Sequence, residues 1–338
     1  MRFDHELDNR LTHPEDFKGM ATTDPGNIVT STVYDNLTGK SQDFEVTLFP
    51  PRNDSNYTLI RFMTWSEYPT RDFEVARCSV LNQHTGAEVI SVSFPGLAPS
   101  VSRNRNFLNQ EQLTGLLSRE SIEEDDSSRS SFCTIALSSI KAIYGALFKS
   151  GRGLTPFENR TVVFDLYSMG NNIGIAAMRY LQPDIVLVRE LAGGEKPQKL
   201  LTLARNFAKY ASEDNPIYLQ HNQLLANPSS DGQLGRFARY PVCLTVSAIG
   251  IARSSIVRDI KSLPPKIDNR PTKFIYVTGT KGKIVDPVHL NRLVRYSRDT
   301  LEQPTITVGI TDGTHALYNS HPKNAESVKA CLDIASQM

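Results

Sequence analysis

"VVFDLYSMGNNIGIAAMRY", residues 162–180, holds two periodicities in one short stretch. Up to Tyr167 the run is apolar, and "RTVVFDLY" (160–167) reads as a strand buried on both faces. Beyond Ser168 small residues recur at helical spacing, so a helix is expected over 170–181. Ser168 stands at the joint and has two readings. It is a helix N-cap, because a serine oxygen accepts from the exposed amides of a first turn. Or it is a nucleophile held on a sharp strand-to-helix turn.

The flanking sequence supplies more elements of both kinds. "NIVTSTVY" and "DFEVTLFPP" are β-rich and form a hairpin around "DNLTGKSQ". "YTLIRFMTW" (57–65) and "EVISVSF" (88–94) are strands, with a helix over 72–83 between them. Residues 101–130 are polar and read as a loop or short helices. "FCTIALSSIKAIYGALFKSG" (132–151) has apolar residues at helical spacing and a glycine at its end. After the opening stretch come strands "DIVLVREL" (184–191), "PTKFIYVTG" (271–279) and "PTITVGIT" (304–311), with helices between them and a last helix from 323. Strands alternating with helices imply a mainly parallel sheet covered on both faces. Residues 196–265 interrupt the alternation, mostly helical in pattern and without a convincing strand. They read as an insertion over one end of the sheet.

The chain has 338 residues, 39% of them hydrophobic and 22% charged, which suits a globular protein with a sizeable core. The domain reading is a polar lead-in (1–27), a core (28–195 and 266–338) and the insertion (196–265). A net charge of +1 offers no field that recommends nucleic acid. The opening residues lack the layout of a signal peptide. The longest apolar stretch, "PVCLTVSAIGIA" (241–252), is too short for a bilayer span. A cytoplasmic protein is the expectation. The four cysteines form no C-x-x-C pair, and reduced, mostly buried thiols are expected. The histidines show no metal-ligand spacing, and no metal or organic cofactor is expected. "GTKGK" (279–283) is not a phosphate loop: Val277 sits where its first glycine belongs, and Ile284 follows the lysine.

In this order the pieces resemble the α/β-hydrolase fold: an antiparallel start, parallel strands, and a helical cap inserted late. The resemblance runs over residues 28–336. "EVISVSFPGLAPS" looks like the fourth strand and its Pro-Gly turn, "VVFDLYSMGNNIGIAAM" like the fifth strand with the nucleophile elbow, and "GITDGTHALYNSHPKNAESV" like the last strand, histidine loop and final helix. The family elbow is G-x-S-x-G, because bulk beside so tight a turn collides. Here Leu166, Tyr167, Ser168, Met169 and Gly170 occupy it, with leucine in place of the first glycine. Gly174, Ala176 and Ala177 would let the following helix approach the sheet closely.

The resemblance implies a triad of Ser168, His315 and an acid. His315 lies in Asp-Gly-Thr-His at the histidine position. His321 precedes the last helix and reads as exposed, and Asp312 as a turn former. Asp286 keeps the order Ser, Asp, His and is preferred as the acid, with a loop or N-cap aspartate as its other reading. Glu190, at the end of the sixth strand, is the alternative acid. The amide of Met169 is the first oxyanion donor, and Met63 or Thr64 supplies the second. The implied activity is serine-dependent acyl hydrolysis, of esterase or lipase type, on a small-molecule ester. Phe207, on the apolar face of "LLTLARNFAKY" (200–210), would line the pocket under the cap. The rival is a catalytically inactive member serving in binding or assembly, suggested by the altered elbow.

Overall fold

A computed structural model describes residues 28–35, 40–52, 54–63, 71–93, 131–153, 155–168, 170–191, 260, 270–279, 287–311 and 321–338. The lead-in, the polar stretch 101–130 and, apart from Ile260, the expected cap lie outside these residues.

The strands are β1 (Ile28–Asp35), β2 (Lys40–Phe49), β3 (Tyr57–Met63), β4 (Glu88–Ser93), β5 (Thr161–Tyr167), β6 (Ile185–Arg189), β7 (Lys273–Gly279) and β8 (Thr305–Ile310). The α-helices are α1 (Arg71–Thr85), α2 (Ser131–Lys149), α3 (Gly170–Ala177), α4 (Pro287–Arg295) and α5 (His321–Gln337). A π-helical turn, Tyr296–Thr300, continues α4. Each strand and helix expected on described residues is present, with ends moved by a few residues. The hairpin is tighter than expected, since pairing continues to Asp35 opposite Lys40. Just before this extension, Thr32 Oγ1 bonds across the ladder to Asp43 Oδ1 at 2.7 Å.

One sheet orders the strands β1-β2-β4-β3-β5-β6-β7-β8. β2 runs antiparallel to both β1 and β4, and all pairs from β4 to β8 are parallel. The strands are apolar on both faces because both are covered. Ile60, Ile90, Phe164, Val186 and Phe274 pack on one side with residues of α2, α3 and α4. Leu59, Val89, Val163, Leu187 and Ile275 pack on the other with residues of α1 and α5. The division follows the direction of each crossover. A right-handed connection moving one way across a sheet covers one face, and one moving back covers the other. The chain moves outward from β3 to β4 through α1. It then returns past β3 to β5 through α2 and continues the same way through α3 and α4.

This reversal makes the gap between β3 and β5 the topological switch point of the sheet. Crevices in open parallel sheets form there, outside the carboxyl ends of the strands. Ser168 follows the last residue of β5 and Met63 ends β3, so both stand at that point.

Candidate active site

The local geometry at Ser168 is unusual for its residue type. Its φ is +51°, a left-handed backbone that costs a non-glycine residue about 1–2 kcal/mol. An ordinary N-cap serine has a β-region backbone instead. The strained turn is held by hydrogen bonds to its neighbours. The Ser168 amide donates to the Arg189 carbonyl at 3.1 Å, and the Asn171 amide donates to the Ser168 carbonyl at 3.1 Å. The Asn171 side-chain Nδ2 donates to both carbonyls, Ser168 O at 2.7 Å and Arg189 O at 3.0 Å. With two carbonyl partners, that end of the carboxamide must be its nitrogen.

Leucine in place of the first elbow glycine has a structural answer. Leu166 is fully buried and its side chain lies over Gly174 of α3. A Cβ added at Gly174 would overlap Leu166 Cδ2 and come within 2.8 Å of Cδ1. The bulk of Leu166 on the strand side is accommodated by the absence of a side chain at Gly174 on the helix side.

Glu190 is a second strained residue. It follows β6 at φ +42°, is buried, and bonds at both ends to β7. Its amide donates to the Val277 carbonyl at 3.0 Å, and its Oε1 accepts from the Gly279 amide. Because β3, β5, β6 and β7 are adjacent and parallel, Met63, Ser168 and Glu190 lie together at the carboxyl ends of the strands. His315, Asp286, Met169, Thr64 and Phe207 lie outside the described residues. His321, expected to precede the last helix, is instead its first residue, because α5 begins two residues earlier than the pattern indicated.

Behind the turn lies a charged cluster that the sequence reading missed. Asp165 of β5 is fully buried between Arg61 of β3 and Arg189 of β6. Arg61 Nη1 bonds Asp165 Oδ2, and Arg189 Nη2 lies 2.7 Å from Oδ2 and 2.5 Å from Oδ1. Arg189 Nη1 also donates to Asn324 Oδ1 in the first turn of α5. The guanidinium carbons of Arg189 and of Arg77 in α1 lie over the Tyr167 ring, 5.7 and 5.8 Å from its centroid. Burial acts to raise the Asp165 carboxyl. The guanidiniums of Arg189, Arg61 and Arg77, with the Arg189 hydrogen bond, overcome it and hold the group below its ordinary range. The signal was present as Arg61, Asp165 and Arg189 inside otherwise apolar strands, where a charge must find a partner. Among the described residues no group of three His, Cys, Asp or Glu could hold a metal ion.

Strand order, the reversal at β3 and the elbow after β5 agree in one architecture. The fold is α/β-hydrolase-like. No protein-family model and no curated protein matches the chain. Solved structures do. An esterase from Pyrococcus furiosus aligns with a TM-score of 0.48 at 11% identity, over 100% of this chain and 96% of that one. A serine hydrolase from Xanthomonas campestris gives 0.44 at 12%, over 91% and 95%. An α/β-hydrolase fold protein from Chitinophaga pinensis gives 0.44 at 14%, over 93% and 98%. At these identities the likeness is one of fold alone. Among the described residues no helix is long and apolar enough to cross a membrane.

Proposed function

We propose that the chain is a serine hydrolase acting on small-molecule acyl esters. The observation that carries the reading is the turn at Ser168: a positive-φ serine at the tip of β5, at the switch point of the α/β-hydrolase-like sheet. Strained backbone of this kind clusters at active sites, and a serine kept where glycine would be unstrained supports a role for its hydroxyl. In this reading Ser168 Oγ attacks the ester carbonyl carbon and His315 takes its proton. The tetrahedral oxyanion is stabilised by the amides of Met169 and of Met63 or Thr64. Collapse breaks the bond to the leaving alkoxide, which receives the proton from His315. Water, activated by the same histidine, then releases the acid and restores Ser168. The 196–265 segment forms the cap, and Phe207 contributes to an apolar acyl pocket.

Asp286 orients His315 if the acid follows chain order. Glu190 has a specific observation in its favour: it is buried, strained and one strand away from Ser168. The packing of Leu166 against Gly174 supports a turn that tolerates leucine at this position, so the altered elbow does not by itself favour the inactive-module reading. The test is labelling with a fluorophosphonate. The wild type should be labelled, Ser168→Ala should not, and His315→Ala should react far more slowly. A folded wild type that resists a range of such probes rules the hydrolase reading out.

A further inference from the structure

We propose that Arg189 and Asn171 are positioning residues for Ser168, an inference that rests on the hydrolase reading. Arg189 is joined to its surroundings through both its main chain and its side chain. Its carbonyl receives the Ser168 amide and the Asn171 carboxamide, at 3.1 and 3.0 Å. Its guanidinium is held by Asp165 and Asn324 and lies over Tyr167, the residue before Ser168. A carbonyl attached to so constrained a residue has little freedom to drift. Asn171 closes the bracket from the other side by bonding Ser168's own carbonyl at 2.7 Å. The strained peptide is therefore gripped at its amide by β6 and at its carbonyl by α3.

The cost of this arrangement argues that it serves more than stability. A buried arginine–aspartate group is often no more stabilising than apolar residues of the same volume. Here the group sits beneath the turn at the switch point and links the strands that flank it. Its consequence is geometric: the Ser168 main chain is fixed independently of what covers the sheet edge above it.

Asn171 and Asn324 can be changed while Arg189 and Asp165 stay paired. Asn171→Ala removes both carboxamide bonds. Asn171→Asp keeps the shape but turns an acceptor toward two carbonyls. Asn324→Ala releases the guanidinium from α5, and Asn324→Asp retains an acceptor oxygen for it. With p-nitrophenyl acetate, both Asn171 variants should lose about tenfold or more in kcat, the size expected for one or two buried hydrogen bonds, with KM within about twofold. Asn324→Ala should fall about threefold, and Asn324→Asp should recover it. Thermal melting checks that each protein is folded. Amide hydrogen exchange at Ser168 reads the bracket apart from activity, and should be about tenfold faster in Asn171→Ala. Folded Asn171 variants with unchanged kcat, or with unchanged Ser168 exchange, overturn the inference. Faster exchange in a protein whose wild type never reacts would leave the bracket standing and remove the hydrolase reading.

Discussion

Ser168 and Glu190 both occupy left-handed backbone without being glycine, and each can be tested through that strain. Ser168→Gly and Ser168→Ala both delete the hydroxyl. Glycine accepts φ of +51° without a Cβ penalty, whereas alanine does not. The glycine variant should therefore be the more stable by about 1 kcal/mol in urea unfolding, despite its greater unfolded-state entropy. Equal or reversed stabilities would argue against the strained turn. The acid of the proposed triad is a second question at this scale. Asp286→Asn is expected to lose most of the turnover, up to about 10⁴-fold, if it orients His315. A comparable loss in Glu190→Gln, with Asp286→Asn near normal, would transfer the role to Glu190. The strand-to-helix turn at Ser168 was legible from sequence because a change of period marked it. The bonds that the Arg189 carbonyl receives from Ser168 and Asn171 were not, because they depend on which strand lies beside β5.

At the scale of elements, periodicity located the strands and helices well. Continuous apolar runs marked the parallel strands, since each is buried on both faces. The relation between elements was harder to read. The sequence presented Leu166 as a departure and Gly174 as a helper of close packing, with no link between them. In the structure they form one contact across the elbow. Gly174→Ala should destabilise the protein by about 1–3 kcal/mol, the usual range for overpacking, although alanine is the better helix former. Leu166→Ala alone should also destabilise, by leaving a cavity. The double variant should be more stable than the sum of the two predicts, because each substitution relieves the other. Chemical denaturation of the four proteins measures this coupling. Strict additivity would mean that Leu166 and Gly174 do not share a contact.

The whole molecule contains ionisable groups whose burial ties stability to pH at both extremes. Strand order is what creates the acid-sensitive one, since it places Asp165 between Arg61 and Arg189. Its folded pKa lies below the ordinary value of 3.8. Such a group contributes stability that is complete above the unfolded pKa and is lost as pH falls through the folded one. Asp165→Asn should cost about 3–5 kcal/mol at neutral pH by leaving buried guanidiniums without their carboxylate. The difference from wild type should shrink below pH 3.8. The alkaline limit has the opposite sign. Burial pushes the Tyr276 hydroxyl from 10.0 up to about 12, partly offset by its hydrogen bond with Ser297. Above pH 10 the unfolded chain releases that proton and the folded one keeps it, so stability falls until about pH 12. Cys331, raised from 9.0 to about 12 by burial, acts in the same direction. Tyr276→Phe cannot ionise. It should therefore flatten the decline in unfolding free energy between pH 10 and 12, measured by denaturant titration at each pH. It should also lower stability at pH 7 by about 1 kcal/mol through loss of the Ser297 bond. A Tyr276→Phe protein that declines over this interval as steeply as wild type would place the alkaline sensitivity elsewhere in the molecule.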